Sequence, residues 1–359
     1  MTEQELVTLW EFAAAVDPGL RPWRKLPVSV LQRKRLRAGP YSRSQLFSRM
    51  TKGQPSLFTD FPVSLNSAIG ADKRALILRD IKTGFPARQV ARTQIRSARC
   101  VNMRMSEFLR RWEGGRSVVS VTDLHFRETR FEKTIDTSAL SDFNILCGDP
   151  DLIENLEMMT MVISSKRNLT DTHTDDCDGS NHCFLGKKLW LSWDRIDGRS
   201  RGFQDVDRDK VSGLARFDLR KFLSLPNGRW FVVKENETLF LPGSLSHKVI
   251  TLEDYLGVGS FHVALPSYVR ALRRWILYDT MDVQPYNLLE RINRAVIGKI
   301  RRLQKAPRNV RERWGLPYLR PSIERWRSRE TASTRKKLLE NPTFLSFLNA
   351  AQKVGADDS

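Results

Sequence analysis

The sequence predicts a β-rich core of the double-sheet jelly-roll or barrel type, flanked at both ends by helices. Between residues 117 and 265, short runs of β-branched and aromatic residues recur at even spacing, broken by Gly, Asn and Asp. Outside that span, apolar residues recur at helical intervals instead. With 359 residues, 40% of them hydrophobic, the chain can bury a sizeable core.

QELVTLWEFAAAV (4–16) places Leu6, Leu9, Trp10 and Ala13 on one helical face. Pro18, Pro22 and Pro27 interrupt it, residues 28–52 are rich in Arg, Lys and Ser, and the segment SVLQRKRLRAG (29–39) reads as a helix or a flexible arm. ALILRDI (75–81) reads as a strand. Ser106 is placed to cap a helix SEFLRRWEG that closes at Gly114-Gly115. Strands follow at SVVSVTDLHF (117–126), EMMTMVISS (157–165) and HCFLGKKLWLSW (182–193), the last broken into a hairpin at Gly186-Lys187. RWFVVKENETLFLPGS (229–244) reads as two strands around a Glu-Asn turn, and HKVITLEDYLGVGSFHVAL (247–265) as two more. One helix, FDLRKFLS (217–224), is inserted among them. After Pro266, helical periodicity returns in VRALRRWILYDTM, in NLLERINRAVIGKIRRLQ, more weakly from Ser322 to Lys337, and in LENPTFLSFLNAAQK. These textures divide the chain into a basic N-terminal region (1–104), a β core (105–270) and a basic helical C-terminal region (271–359).

The net charge of +19 is unevenly placed. Arg21–Arg104 holds 19 Lys/Arg against 3 Asp/Glu and Arg291–Lys337 holds 16 against 3, whereas residues 105–290 hold 24 against 28. Two basic flanks around a slightly acidic centre read as a nucleic-acid footprint, or more plainly as solvated basic surface. Four cysteines at irregular spacing suit a reducing intracellular compartment rather than a disulfide framework. No apolar run reaches the roughly 18–20 residues of a membrane span, and the acidic start, MTEQELVTLW, argues against a signal peptide.

The chemistry concentrates at Thr170-Asp171-Thr172-His173-Thr174-Asp175 and at His247, 72 residues after Asp175. Residues two apart on a strand share a face, so His173 and Asp175 can hold one ion together, with His247 added from an adjacent strand. Two imidazoles and one carboxylate suit one face of an octahedral Fe(II). Taken alone, the pair reads more simply as a solvated loop histidine beside an acid. Asp176 faces away from Asp175 by the same alternation. Cys177, His182 and Cys183 match no structural zinc spacing.

Five ordered blocks between Val101 and Arg270 resemble the JmjC family of Fe(II)/2-oxoglutarate oxygenases, and within it the F-box/PHD-finger branch of histone lysine demethylases. They are VNMRMSEFLRRW, SVTDLHFRETRFEKTI, MVISSKRNLTDTHTDDCDG, LGKKLWLSW and ETLFLPGSLSHKVITLEDYLGVGSFHVAL. The resemblance implies a double-stranded β-helix, a cupin-like JmjC barrel. It implies His173, Asp175 and His247 as iron ligands, and Thr170 with Lys188 as the pair holding the distal carboxylate of 2-oxoglutarate. A buried dianion needs such a cation and donor to offset its desolvation. Strand alternation turns Lys188 inward and Lys187 outward. Asn181, Ser120 and Ser260 are further co-substrate candidates. Asn181 stands near the position of a family tyrosine, Ser120 replaces a family asparagine, and DCDGSNH is two residues shorter than the family's segment. The implied reaction is hydroxylation coupled to oxidative decarboxylation of 2-oxoglutarate, releasing formaldehyde when the carbon attacked is an N-methyl. The implied substrate is a methylated histone lysine in the nucleus, with DNA or RNA contacts through the flanks. A hydroxylase of a ribosomal or RNA-associated protein, and a non-catalytic nucleic-acid-binding protein with a structural barrel, are the alternatives. No zinc-finger, PHD or CXXC cysteine pattern accompanies the core.

Overall fold

The computed structural model describes residues 1–65, 73–85, 90–95, 99–115, 117–126, 129–146, 159–203, 217–278 and 288–352. Its core is antiparallel β-sheet flanked by helices, and the helices hold more residues than the strands. Fourteen strands occur among the described residues. They are β1 (Ser56–Phe58), β2 (Ser64–Leu65), β3 (Val90–Ile95), β4 (Arg99–Arg104), β5 (Val119–His125), β6 (Ile135–Asp136) and β7 (Met159–Ser164). The second half adds β8 (Leu169–Thr174), β9 (Asp178–Leu185), β10 (Lys187–Asp194), β11 (Arg229–Lys234), β12 (Thr238–Leu241), β13 (Leu245–Thr251) and β14 (Tyr255–His262). An eight-stranded sheet runs β1-β12-β9-β14-β7-β5-β3-β4 and a four-stranded one β11-β10-β13-β8; β2 and β6 pair separately.

Alternation explains how the two sheets are covered. On β10, Leu189, Leu191 and Trp193 join an apolar cluster with Trp10 and Leu20 from the N-terminal segment and Phe222 from the inserted helix Leu219–Ser224. The opposite face of the same strand puts Trp190 among Phe231, Val249, Leu239 and Tyr255, drawn from both sheets, so this second cluster lies between them. Behind the eight-stranded sheet, Phe108, Trp112, Ile81 and Phe131 form a third cluster. The C-terminal helices Tyr268–Tyr278, Leu288–Gln304, Leu319–Arg329 and Pro342–Gln352 form a fourth around Trp275, Ile292, Ile323 and Phe347.

Several expected elements take another form. The expected strand 75–81 lies inside a helix, Lys73–Gly84, because Ile81 and Phe85 pack at helical spacing near Phe131. Residues 28–52 are an ordered pair of helices, Val28–Arg33 and Arg43–Thr51, held by buried Leu31, Leu46, Phe47 and Met50. Ser106 is not a cap: the helix begins at Met105 with Arg104 at the N-cap, though it closes as expected at Gly115 in the left-handed region. Gly186 joins β9 to β10 as a corner between the two sheets rather than a hairpin. Its φ is +83°, and a Cβ there would stand 2.0 Å from the Asp254 carbonyl oxygen. The weak periodicity 322–337 resolves into two helices, Leu319–Arg329 and Ala332–Leu339, with Thr331 capping the second. Residues 157–158 of the strand expected at 157–165 lie outside the described residues. The N-terminal region supplies β1, β3 and β4 to the large sheet, so the sheet crosses the expected boundary at 104.

One buried ion cluster ties the N-terminal segment to the four-stranded sheet. Lys248, on the outer face of β13, donates from Nζ to Asp17 Oδ2 at 2.7 Å and lies 3.5 Å from Asp171 Oδ1. Asp17 also accepts from the Gly19 amide with its other oxygen. Lys248→Met leaves the buried Asp17 carboxylate without its cation, and should cost about 3–5 kcal/mol of stability in chemical denaturation.

Candidate metal centre

His173 lies on β8, Asp175 just beyond its end, and His247 on β13 directly opposite His173 in the antiparallel register. The ligand atoms of all three lie within 4.8 Å of one another, a grouping found at no other place among the described residues. His173 Nε2 is 3.8 Å from Asp175 Oδ1, and His247 Nε2 is 3.8 Å from Asp175 Oδ2. The imidazole centroids stand 4.1 Å apart. His173 Nδ1 is 2.8 Å from the Asp171 carbonyl and His247 Nδ1 is 3.3 Å from that of Leu245. A carbonyl can only accept, so both Nδ1 atoms carry the proton and both Nε2 lone pairs face Asp175. Burial, then the neighbouring His173, pushes the His247 pKa down to about 4 against the pull of Asp175. A neutral imidazole is the form that binds a metal.

The three residues open into a cavity of about 730 Å3 that Thr170, Asn181, Lys188, Trp190 and Ser260 also line. Thr170 reaches this face by a β-bulge. His247 opposes His173, but Val249 opposes Thr170, so β8 holds one more residue than β13 over the same length. The extra residue reverses the alternation and brings Thr170, three positions before His173, to the same side.

Lys188 and Lys187 separate as alternation predicts. Lys187 is exposed and pairs with Glu253 at 2.7 Å. Lys188 is 3% exposed, has no carboxylate partner among the described residues, and holds its Nζ 4.3 Å from the Tyr255 ring centroid. Burial drags its pKa down to about 7. Beside it, Trp190 Nε1 on the cavity wall and Thr251 Oγ1, opposite Lys188 in the register, have no hydrogen-bond partner among the described residues. A buried cation beside orphaned donors is a cradle for an anion bearing several acceptors.

The remaining expected residues are placed less uniformly. Asn181 lines the cavity and accepts a hydrogen bond from the Tyr255 hydroxyl. Ser260 also lines it, but its hydroxyl is turned along its own strand, 3.4 Å from the Phe261 carbonyl. Ser120 is buried on β5 with its hydroxyl 2.7 Å from Ser164 Oγ, away from the cavity wall. Asp176 pairs with Arg274 at 2.6 Å. Cys177 and Cys183 are buried free thiols, and His182 Nδ1 meets Thr238 Oγ1 at 2.8 Å, so the three form no metal group; Cys147 lies outside the described residues.

Tyr255 is the functional candidate that sequence reasoning missed. Its signal is the spacing Tyr255-Leu256-Gly257: a Cβ at Gly257 would stand 2.8 Å from the Tyr255 hydroxyl, so the glycine makes room for the ring along the strand. Compared with known proteins, the chain matches no family model and no curated sequence.

Proposed function

We propose that this chain is an Fe(II)- and 2-oxoglutarate-dependent oxygenase built on a double-stranded β-helix of the JmjC type. The observation that carries the reading is the meeting of two independent features in one cavity: three metal-type donors within 4.8 Å, and a buried lysine with no carboxylate partner among the described residues. Either feature alone has a simpler explanation, whereas together they match what a metal and a chelating dianion need. The donor set, two imidazoles and one carboxylate, fits a non-haem Fe(II).

His173, Asp175 and His247 would hold the metal, and the Asp171 and Leu245 carbonyls fix the two rings in the ligating tautomer. Lys188 would bind the distal carboxylate of 2-oxoglutarate, with Thr170 adding a hydroxyl donor from β8 and Tyr255 and Asn181 bracing the lysine. When bound, the metal and co-substrate supply the oxidising chemistry, and the protein's share is positioning and exclusion of side reactions. The substrate we favour is an N-methyl-lysine of a histone, placing the protein in the nucleus, with the basic flanks contacting the DNA around it.

The test is turnover. Incubated with Fe(II), 2-oxoglutarate and a panel of methylated histone peptides, the protein should form succinate and remove one methyl from a peptide, read by mass. Gain of one oxygen instead would make it a hydroxylase of a basic protein. Absence of both succinate formation and iron binding would leave a nucleic-acid-binding protein with a structural core.

A further inference from the structure

A second cavity, of about 580 Å3, shares no lining residue with the metal site. Its walls come from the end of β10 and the residues after it, from the helix Tyr268–Tyr278, and from the helices Leu319–Arg329 and Ala332–Leu339. Seven Arg and Lys side chains line it against two carboxylates, Asp194 and Glu330. Those carboxylates are already engaged. Asp194 Oδ2 takes Arg270 at 3.2 Å and Arg329 at 3.1 Å, and Glu330 holds Arg273. Arg274 is held by Asp176. Of the remaining three, Arg195 is engaged, whereas Arg325 and Lys337 have no carboxylate partner among the described residues.

The helix Leu319–Arg329 presents more than charge. Ser322, Arg325 and Trp326 fall three and four residues apart, on one helical face, and all three line the cavity. Ser322 Oγ, Arg325 Nε and Trp326 Nε1 are buried with no hydrogen-bond partner among the described residues. Ser322 is 2% and Trp326 6% exposed. Arginine, lysine and indole nitrogens can only donate, so the wall calls for a ligand that only accepts and carries negative charge. Leu277, Ile196 and the Trp326 ring add apolar surface beside the donors. The volume is that of a small-molecule site, and a nucleic-acid duplex is too wide to enter it.

We propose that this cavity binds a compact phosphorylated small molecule, whose phosphate oxygens accept from Arg325 and Lys337. The arrangement explains why cations outnumber acids around this space and why Arg325 and Lys337 stand there with no carboxylate among the described residues. Neither feature is needed to hold the C-terminal helices, which the Arg273–Glu330 and Arg329–Asp194 pairs already tie down.

Inorganic pyrophosphate is the probe, titrated by calorimetry into the full chain in the presence of a chelator, so that no metal takes part. We expect saturable one-to-one binding at physiological salt. Arg325→Ala and Lys337→Ala should each weaken it about tenfold or more, as loss of a charge-assisted hydrogen bond implies. Both remove side chains that have no ion-pair partner, so the thermal midpoint should be kept, and Lys188→Met should leave pyrophosphate binding intact. Absence of saturable binding, affinity unchanged in both cavity variants, or binding lost in Lys188→Met would overturn the proposal. So would binding of duplex DNA that Arg325→Ala weakens but pyrophosphate does not displace.

Discussion

His173→Ala is expected to abolish succinate formation and to weaken metal binding by well over about 100-fold, the upper range seen when only a supporting group around a metal is removed. The variant is clean because of where His173 lies. Its side chain is 43% exposed at the cavity mouth, so its loss opens no hole in a core. Its imidazole makes one hydrogen bond, from Nδ1 to the Asp171 carbonyl, and that carbonyl is left near solvent. The thermal midpoint of the metal-free protein should therefore barely move, whereas the metal-dependent rise in that midpoint should vanish. His247→Ala should lose the metal equally but also lose stability, since His247 is 3% exposed and packs against Trp190 with ring centroids 5.4 Å apart. Metal stoichiometry by elemental analysis, beside thermal denaturation with and without Fe(II), separates the two effects. Full metal occupancy in His173→Ala would remove these three residues as the centre.

How much of this site is visible without coordinates depends on the range of each contact. The His173–Asp175 pair follows from alternation alone, as does the choice of Lys188 over Lys187. Both are local, and the pleat decides them. His247 is different: a separation of 74 residues from His173 says nothing about pairing, and only the β13–β8 register puts the two opposite each other. Thr170 goes against simple alternation, because three is an odd number of steps, and the bulge that corrects it has no sequence mark in LTDTHT. The same limit explains the fold-level misses. β3 and β4 are short and sit in a basic stretch whose strand character comes from pairing with each other and with β5 rather than from pattern. Gly186 was legible as a break but not as a corner, since a hairpin and a change of sheet both call for a left-handed residue.

Lys188→Met should make the metal-free protein more stable while removing its hold on 2-oxoglutarate. In the free protein this lysine is a cost. It is buried, its amine stands 4.3 Å from the Tyr255 ring centroid, and burial lowers its pKa from 10.5 to about 7. The sign follows from proton counting: between about pH 7 and 10.5 the unfolded chain binds a proton that the folded chain refuses, so Lys188 destabilises increasingly as pH falls across that window. Methionine is similar in length and needs no proton, and replacing buried charge with an apolar side chain of like volume gains about 1–4 kcal/mol. The gain should therefore be larger at pH 7 than at pH 9. Co-substrate binding should move the opposite way, because the dianion would enter a dry cavity with its cation gone. Truncating one partner of such a pair costs about 2–5 kcal/mol, a rise in Kd of roughly 30-fold to several thousand-fold. Thermal denaturation at the two pH values gives the first quantity, and 2-oxoglutarate titration of the Mn(II)-loaded protein gives the second. A variant that is less stable yet binds 2-oxoglutarate normally would make Lys188 a packing residue; one more stable and unable to bind would show a site that gives up stability to remain ready for an anion.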